Sequence, residues 1–153
     1  RALLVALMLM IASQAGAEKV DNRFKSQNIK HVAVVLRDRA KGGCWTNLRE
    51  SREYAEEKFR MEGIKVLSLT EIKSVPSSKN YIFYLEVHAT RLYTDGRGPC
   101  TGALEFNLGT YTEVNEAIHW ASAAQMSSIK ANDKNFNNYV LDGINLFFVR
   151  LRK

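Results

Sequence analysis

The strongest constraint on the fold is a pair of alternating stretches at residues 81–93 and 101–112. In the first, Tyr81, Phe83, Leu85, Val87 and Ala89 recur at every second position. In the second, Leu104, Phe106 and Leu108 alternate with Glu105 and Asn107. Successive side chains of a strand point to opposite faces, so a period of two describes strands with one apolar and one wet side. Thr94-Asp95-Gly96-Arg97-Gly98-Pro99 lies between them and supplies the turn of a hairpin. The apolar side of such a hairpin must be covered, and two segments have the helical period to cover it. Leu48, Ala55 and Phe59 fall near one face of a helix over residues 48–62. Phe136, Val140, Ile144, Phe147 and Leu151 do so over 133–150, where basic residues gather at the C-terminal end.

Local signals set the remaining elements. His31-Val32-Ala33-Val34-Val35-Leu36 is a β-branched run and reads as a buried strand. Asn47 with Glu50 three residues on has the pattern of a capping box, and Gly63 supplies a left-handed stop. Residues 64–69 alternate as a strand, 75–80 form a turn-rich connection, and a fifth strand is expected over 117–126. The order is β-α-β-β-β-β-α. It implies one α+β domain over residues 31–153, with a four- or five-stranded mixed or antiparallel sheet and two helices packed on one face. A chain of 153 residues leaves room for one such domain.

Residues 1–17 stand apart. Arg1 precedes the unbroken apolar run of residues 2–12, which is too short to span a bilayer, since a spanning helix needs about 20 residues. Ser13-Gln14-Ala15-Gly16-Ala17 then places small residues at the −3 and −1 positions of a signal-peptidase site. The reading is a signal peptide cleaved after Ala17, a polar lead-in over 18–30, and a periplasmic or secreted mature chain without a membrane span. No cysteine comes directly after the apolar run, so no lipoprotein anchor is expected. In an oxidising compartment the only two cysteines, Cys44 and Cys100, suggest a disulfide. The alternative is a reactive thiol at Cys44 ahead of a helix start. The lack of a Cys-x-x-Cys pair, and the sequence distance to His31, His88 and His119, count against it.

Chemistry-bearing motifs are absent. There is no Gly-x-Ser-x-Gly around Ser122, Ser127 or Ser128. Gly42-Gly43-Cys44-Trp45-Thr46-Asn47 lacks the phosphate-loop pattern and reads as a turn into a helix. No cofactor, metal site or catalytic residue is assigned. The formal charge of +6 is spread along the chain, apart from Arg150, Arg152 and Lys153 at the end. Spread charge without a dense basic stripe argues against a nucleic-acid partner. The candidate binding surface is the wet side of the hairpin, with Tyr84, Glu86, His88 and Thr90 on one strand and Glu105 and Asn107 across from them. His119 joins if the fifth strand pairs alongside. Trp45 and Trp120 are candidate anchors for a partner or a sugar ring, set against the simpler reading of buried aromatics.

The Cys-Trp-Thr-Asn opening to a helix, followed by Tyr54-Ala55-Glu56-Glu57-Lys58-Phe59 and Gly63-Ile64-Lys65-Val66, is similar to small exported bacterial proteins of unassigned function. The element order also resembles the amino-terminal domain of TolB and related envelope-assembly modules. That resemblance implies an interaction domain of the cell envelope, partnered by an envelope protein or a cell-wall component, and it transfers no site residues. The competing expectation is a small hydrolase or metal-dependent enzyme using Glu86, His88 and Glu105 on the wet face.

Overall fold

The computed structural model describes residues 28–75, 79–93, 98–114 and 117–152. The expected signal peptide with its cleavage site, the lead-in as far as residue 27, and the centres of the two turn segments lie outside the described residues. The elements are β1 (His31–Asp38), α1 (Leu48–Met61), β2 (Lys65–Val66), α2 (Leu69–Ser74), β3 (Asn80–Arg91), β4 (Cys100–Val114), β5 (Ala117–Asp133) and α3 (Asn137–Leu151). They build a single α+β domain around one five-stranded mixed sheet of order β2-β1-β3-β4-β5. β1 runs parallel to both β2 and β3, and β3, β4 and β5 form an antiparallel meander. No helix among the described residues is long and apolar enough to cross a membrane.

The alternation of β3 and β4 governs the layering. Tyr81, Phe83, Leu85, Val87 and Ala89 are all buried, as are Leu104, Phe106 and Leu108. The two long helices supply the opposing layer. Phe59 of α1 meets Phe83 at 5.3 Å and Phe148 of α3 at 4.6 Å between ring centroids, and Phe147 meets Phe83 at 5.0 Å. Fully burying side chains of this size contributes about 1.5–3 kcal/mol each, so this aromatic layer dominates the core. Ile29 also packs into it, two residues ahead of β1 and inside the stretch read as a lead-in.

Helix ends follow local chemistry, with one correction. Gly63 has φ +75° and donates its N–H to the Arg60 carbonyl, and the Ile64 N–H donates to the Phe59 carbonyl. This is the Schellman arrangement, with Ile64 buried beside Phe59. The capping box expected at Asn47 does not form. Its amide donates to the Glu50 carboxylate at 2.9 Å, and its side-chain oxygen accepts from the Ser51 hydroxyl at 3.3 Å. Both groups are thereby held away from the backbone donors a cap would satisfy.

The second correction concerns the helix count. Two helices were expected on one face, and α2 adds a third at the opposite face. It has a complete capping box: the Ser68 hydroxyl accepts from the Glu71 N–H and the Glu71 carboxylate accepts from the Ser68 N–H. The Ser68 side-chain hydrogen bond, then the backbone one, holds the Glu71 carboxyl below its ordinary value. This helix consumes the end of the segment read as a strand, leaving β2 only two residues long.

Cys44 and Cys100 form a disulfide, with both residues fully buried and 5.8 Å between Cα atoms. It ties the loop before α1 to the start of β4. The same loop holds the start of α3, because the Phe136 N–H donates to the Cys44 carbonyl and the Asn137 side chain bonds both the N–H and the hydroxyl of Thr46. Three remote segments therefore meet at one bridge. Closing a loop of this span stabilises a fold by about 4 kcal/mol in the chain-entropy account.

Candidate functional site

The face of the sheet turned away from α1 and α3 is built from the alternate positions of β1, β3, β4 and β5. The parallel pairing sets Val35 beside Tyr84 and Arg37 beside Glu86. The antiparallel pairing sets Tyr84 beside Asn107 and Glu86 beside Glu105. Tyr84, Glu86, His88, Glu105 and Asn107 thus come together on one surface, as their spacing implied.

Glu86 and Glu105 stand directly across from each other, a pairing that like charges make unfavourable. Arg37 of β1 and Arg39 just past its end offset it. Arg39 Nε pairs with one Glu86 oxygen, Arg37 Nη1 reaches the other at 3.6 Å, and His88 Nε2 lies 3.0 Å from the first. Partial burial pushes the Glu86 carboxyl up. The Arg39 hydrogen bond and charge, with His88 and Arg37, outweigh it and hold the carboxyl below its ordinary value. A carboxylate held by two guanidinium groups in this way is a weaker proton acceptor than a free one. Among the described residues, no group of three or more His, Cys, Asp and Glu side chains is placed to hold a metal ion.

Beside this cluster lies an aromatic one. Trp120 of β5 packs edge-to-face on Tyr84 at 5.3 Å and on Tyr111 of β4 at 5.1 Å. The Arg37 guanidinium sits over the Tyr84 ring, 4.3 Å from its centroid, where the negative face of the ring attracts it. Burial raises the Tyr84 hydroxyl above its ordinary pKa, and the hydrogen bond to Tyr111 adds to the effect against the pull of Arg37. Together Arg37, Tyr84, Glu86, Glu105, Asn107, Tyr111 and Trp120 line a hollow of about 270 Å³. Asn107 also accepts a hydrogen bond from the Ser122 hydroxyl at 3.1 Å.

A second, more apolar cleft of about 560 Å³ opens between α2 and the sheet, lined by Leu69, Ile72, Val75, Ile82 and Ile118 and sharing Tyr84 and Tyr111 with the first. The open face therefore grades from an apolar cleft, through an aromatic middle, to a charged end.

Two candidates fall elsewhere. Trp45 is 3% exposed within the main core, and its indole N–H donates to the buried Ser51 hydroxyl at 3.3 Å, so it offers no surface. It lies between Cys44 and Thr46, both of which bond the start of α3. His119 pairs with Thr112, and its neighbour Trp120 takes the open face. A β-bulge explains the exchange. Leu108 pairs with Ala124 while Gly109 pairs with Ser122, so Ala123 is an inserted residue and the alternation reverses on either side of it. Counting back by twos from the buried Met126 puts His119 on the open face; the bulge puts Trp120 there. Reading the site residue by residue also missed Arg37 and Tyr111. Tyr111 shares the period of Glu105 and Asn107, and that alternation was signal enough to place it. The tail residue Arg152 is not free, since Glu62 accepts from its Nε at 2.6 Å.

No family model matches the chain, and no curated protein matches it. Among solved structures, it is similar to two PelC dodecamer structures from Paraburkholderia phytofirmans. One has 14% identity, covers 82% of this chain and 90% of that chain, and has a TM-score of 0.46. The other has 10% identity, covers 80% and 83%, and has a TM-score of 0.40. A hypothetical protein, CT253, from Chlamydia trachomatis has 9% identity, covers 81% and 91%, and has a TM-score of 0.38.

Proposed function

We propose that the chain is an exported binding module of the cell envelope that meets its partner on the open face of the sheet. The observation that carries this is the cluster of Tyr84, Tyr111 and Trp120 on a face left open by both long helices, with Arg37 stacked against it. Tyr, Trp and Arg are the residue types that dominate binding hot spots. The apolar bodies of such rings bury area, while their polar tips tolerate water until a partner arrives. The grading of the face suits a partner with an apolar patch edged by hydrogen-bonding groups, which both an envelope protein and a cell-wall component present. Export is supported by the apolar run ahead of Ala15 and Ala17, and by a disulfide of the kind that oxidising compartments maintain. The resemblance of the element order to envelope-assembly modules such as the TolB amino-terminal domain points the same way.

The test has two steps. Protein expressed with its leader and recovered from the periplasm is expected to begin at Glu18, with a mass about two units below its reduced form, for the two hydrogens lost on bridging. An uncleaved chain or free thiols would defeat the export reading. The mature chain is then crosslinked in an envelope fraction beside two variants, Trp120→Ala on the open face and Val149→Ser on the exposed side of α3. A partner retained by Val149→Ser and lost by Trp120→Ala supports the assignment. Equal recovery by both variants, or by neither, refutes it.

A further inference from the structure

The two edges of the sheet are protected very differently. On one side β2 is two residues long, and beyond it the Arg52 side chain bonds the Val34 carbonyl at 2.8 Å and the Leu67 N–H bonds the Val32 carbonyl. That edge is short and plugged. On the other side, β5 runs for 17 residues and pairs only with β4 among the described residues. Its sequence contains no proline, and its only charges are Lys130 and Asp133 near one end. Native edge strands are ordinarily short, charged or interrupted by proline, because a long unpaired ladder recruits another strand. The two most exposed large apolar side chains on this edge are Ile118 at 76% and Ile129 at 83%.

We infer that β5 pairs antiparallel with β5 of a second copy of this chain, extending the sheet across a two-fold axis that passes between Ala123 and Ala124. The register follows from the bulge. Ahead of Ala123 the outward side chains are Ile118, Trp120 and Ser122; after Ala124 they are Gln125, Ser127 and Ile129, as the pairing with β4 dictates. Ala123 is buried in the core and Ala124 packs partly against it. When Ala123 of one copy faces Ala124 of the other, Ser122 meets Gln125, Trp120 meets Ser127 and Ile118 meets Ile129. Every outward residue then faces an outward residue. Sliding the pair by one or two residues sets an outward Ser122 or Gln125 opposite an inward alanine, which the pleat forbids. A bulge normally twists an edge away from partners, but here it sits on the axis and meets its own image. The interface is thereby isologous and closed, and it buries the two isoleucines against each other twice.

Sedimentation of the mature protein over a range of concentrations is expected to show a reversible dimer. Ile129→Lys, at a position exposed enough to leave the fold intact by circular dichroism, is expected to weaken it at least tenfold. The register is read by cysteine pairing. Ile118 and Ile129 of one chain are about 37 Å apart along the strand, too far for a bridge within a copy. An equimolar mixture of Ile118→Cys and Ile129→Cys proteins should therefore crosslink as a mixed dimer on mild oxidation, with each variant alone remaining unlinked. A monomer at every concentration overturns the inference, as does a dimer in which the mixed bridge does not form.

Discussion

The covered and open faces of the sheet use the same device for opposite ends. On the covered face, Gly143 of α3 lacks a Cβ where the Phe106 ring passes; a Cβ there would lie 2.7 Å from that ring. On the open face, Gly109 of β4 leaves the same room for Trp120, whose ring would stand 2.5 Å from an added Cβ. Each face thus seats an aromatic ring over a glycine. Phe106 is then sealed beneath α3 and fully buried, whereas Trp120 stays partly exposed between Tyr84 and Tyr111. A sealed ring contributes to stability and little else. A ring left reachable contributes less to stability and remains available to a partner.

That contrast is broken most directly by truncating the covered face. Phe83 touches Phe59, Phe106 and Phe147. Phe83→Ala is expected to lower the free energy of unfolding by about 4 kcal/mol, from lost transfer energy and the cavity left behind. Denaturant titration measures it. A loss no larger than that of Trp120→Ala would remove the distinction between the faces. Next in size is Gly143→Ala. The added methyl gains about 1 kcal/mol of helix propensity but drives into the Phe106 ring, at about 1–3 kcal/mol for overpacking. A net loss of up to about 2 kcal/mol is expected. A gain in stability would show that α3 does not need the close approach.

Much of this contrast was legible in the alternation of residues 81–89 and 104–108, because a period of two divides a strand between faces whatever its neighbours are. The last helix was equally plain, since five large apolar side chains at helical spacing admit one covered stripe. The misses have physical causes. Six residues of α2 bury only Ile72, too little for a periodic signal, although Ser68 and Glu71 had the spacing of the capping box they form. β5 continues past Met126 to Asp133 through residues of weak strand preference, held by pairing with Cys100–Leu104 rather than by propensity. The exchange of His119 for Trp120 depends on one inserted alanine, which leaves no mark on local composition. Arg37, and Arg39 just past the end of β1, joined the site only through the parallel pairing of β1 with β3, a long-range choice that no local pattern encodes.

The open face can be perturbed without touching the core. Gly109→Ala places a methyl against the Trp120 ring and 2.5 Å from the Ala121 carbonyl oxygen, so the ring must move. The expected loss is about 1 kcal/mol, at the low end of overpacking effects. The sharper readout is spectroscopic. The near-ultraviolet dichroism and emission of Trp120 should change, with Trp45, enclosed in the core, unaffected. An unchanged signal would mean that Trp120 is not held over β4.

The smallest expected effect concerns the charged end of the same face. The Glu86 carboxyl is held below its ordinary value of 4.5 by Arg39, His88 and Arg37, despite the opposing push of partial burial. A group whose pKa is lower folded than unfolded adds stability above the unfolded value and loses it as pH falls through the folded one. The wild-type chain should therefore lose stability progressively as the pH drops below about 4.5, and Glu86→Gln should flatten that part of the profile. At neutral pH the variant is expected to be less stable by under about 1 kcal/mol, as for ion pairs near a surface. Denaturant titrations from pH 7 down to about 3 decide it. If the two profiles run parallel through the acid range, Arg37 and Arg39 do not hold Glu86, and the cluster contributes to the open face only by its charge.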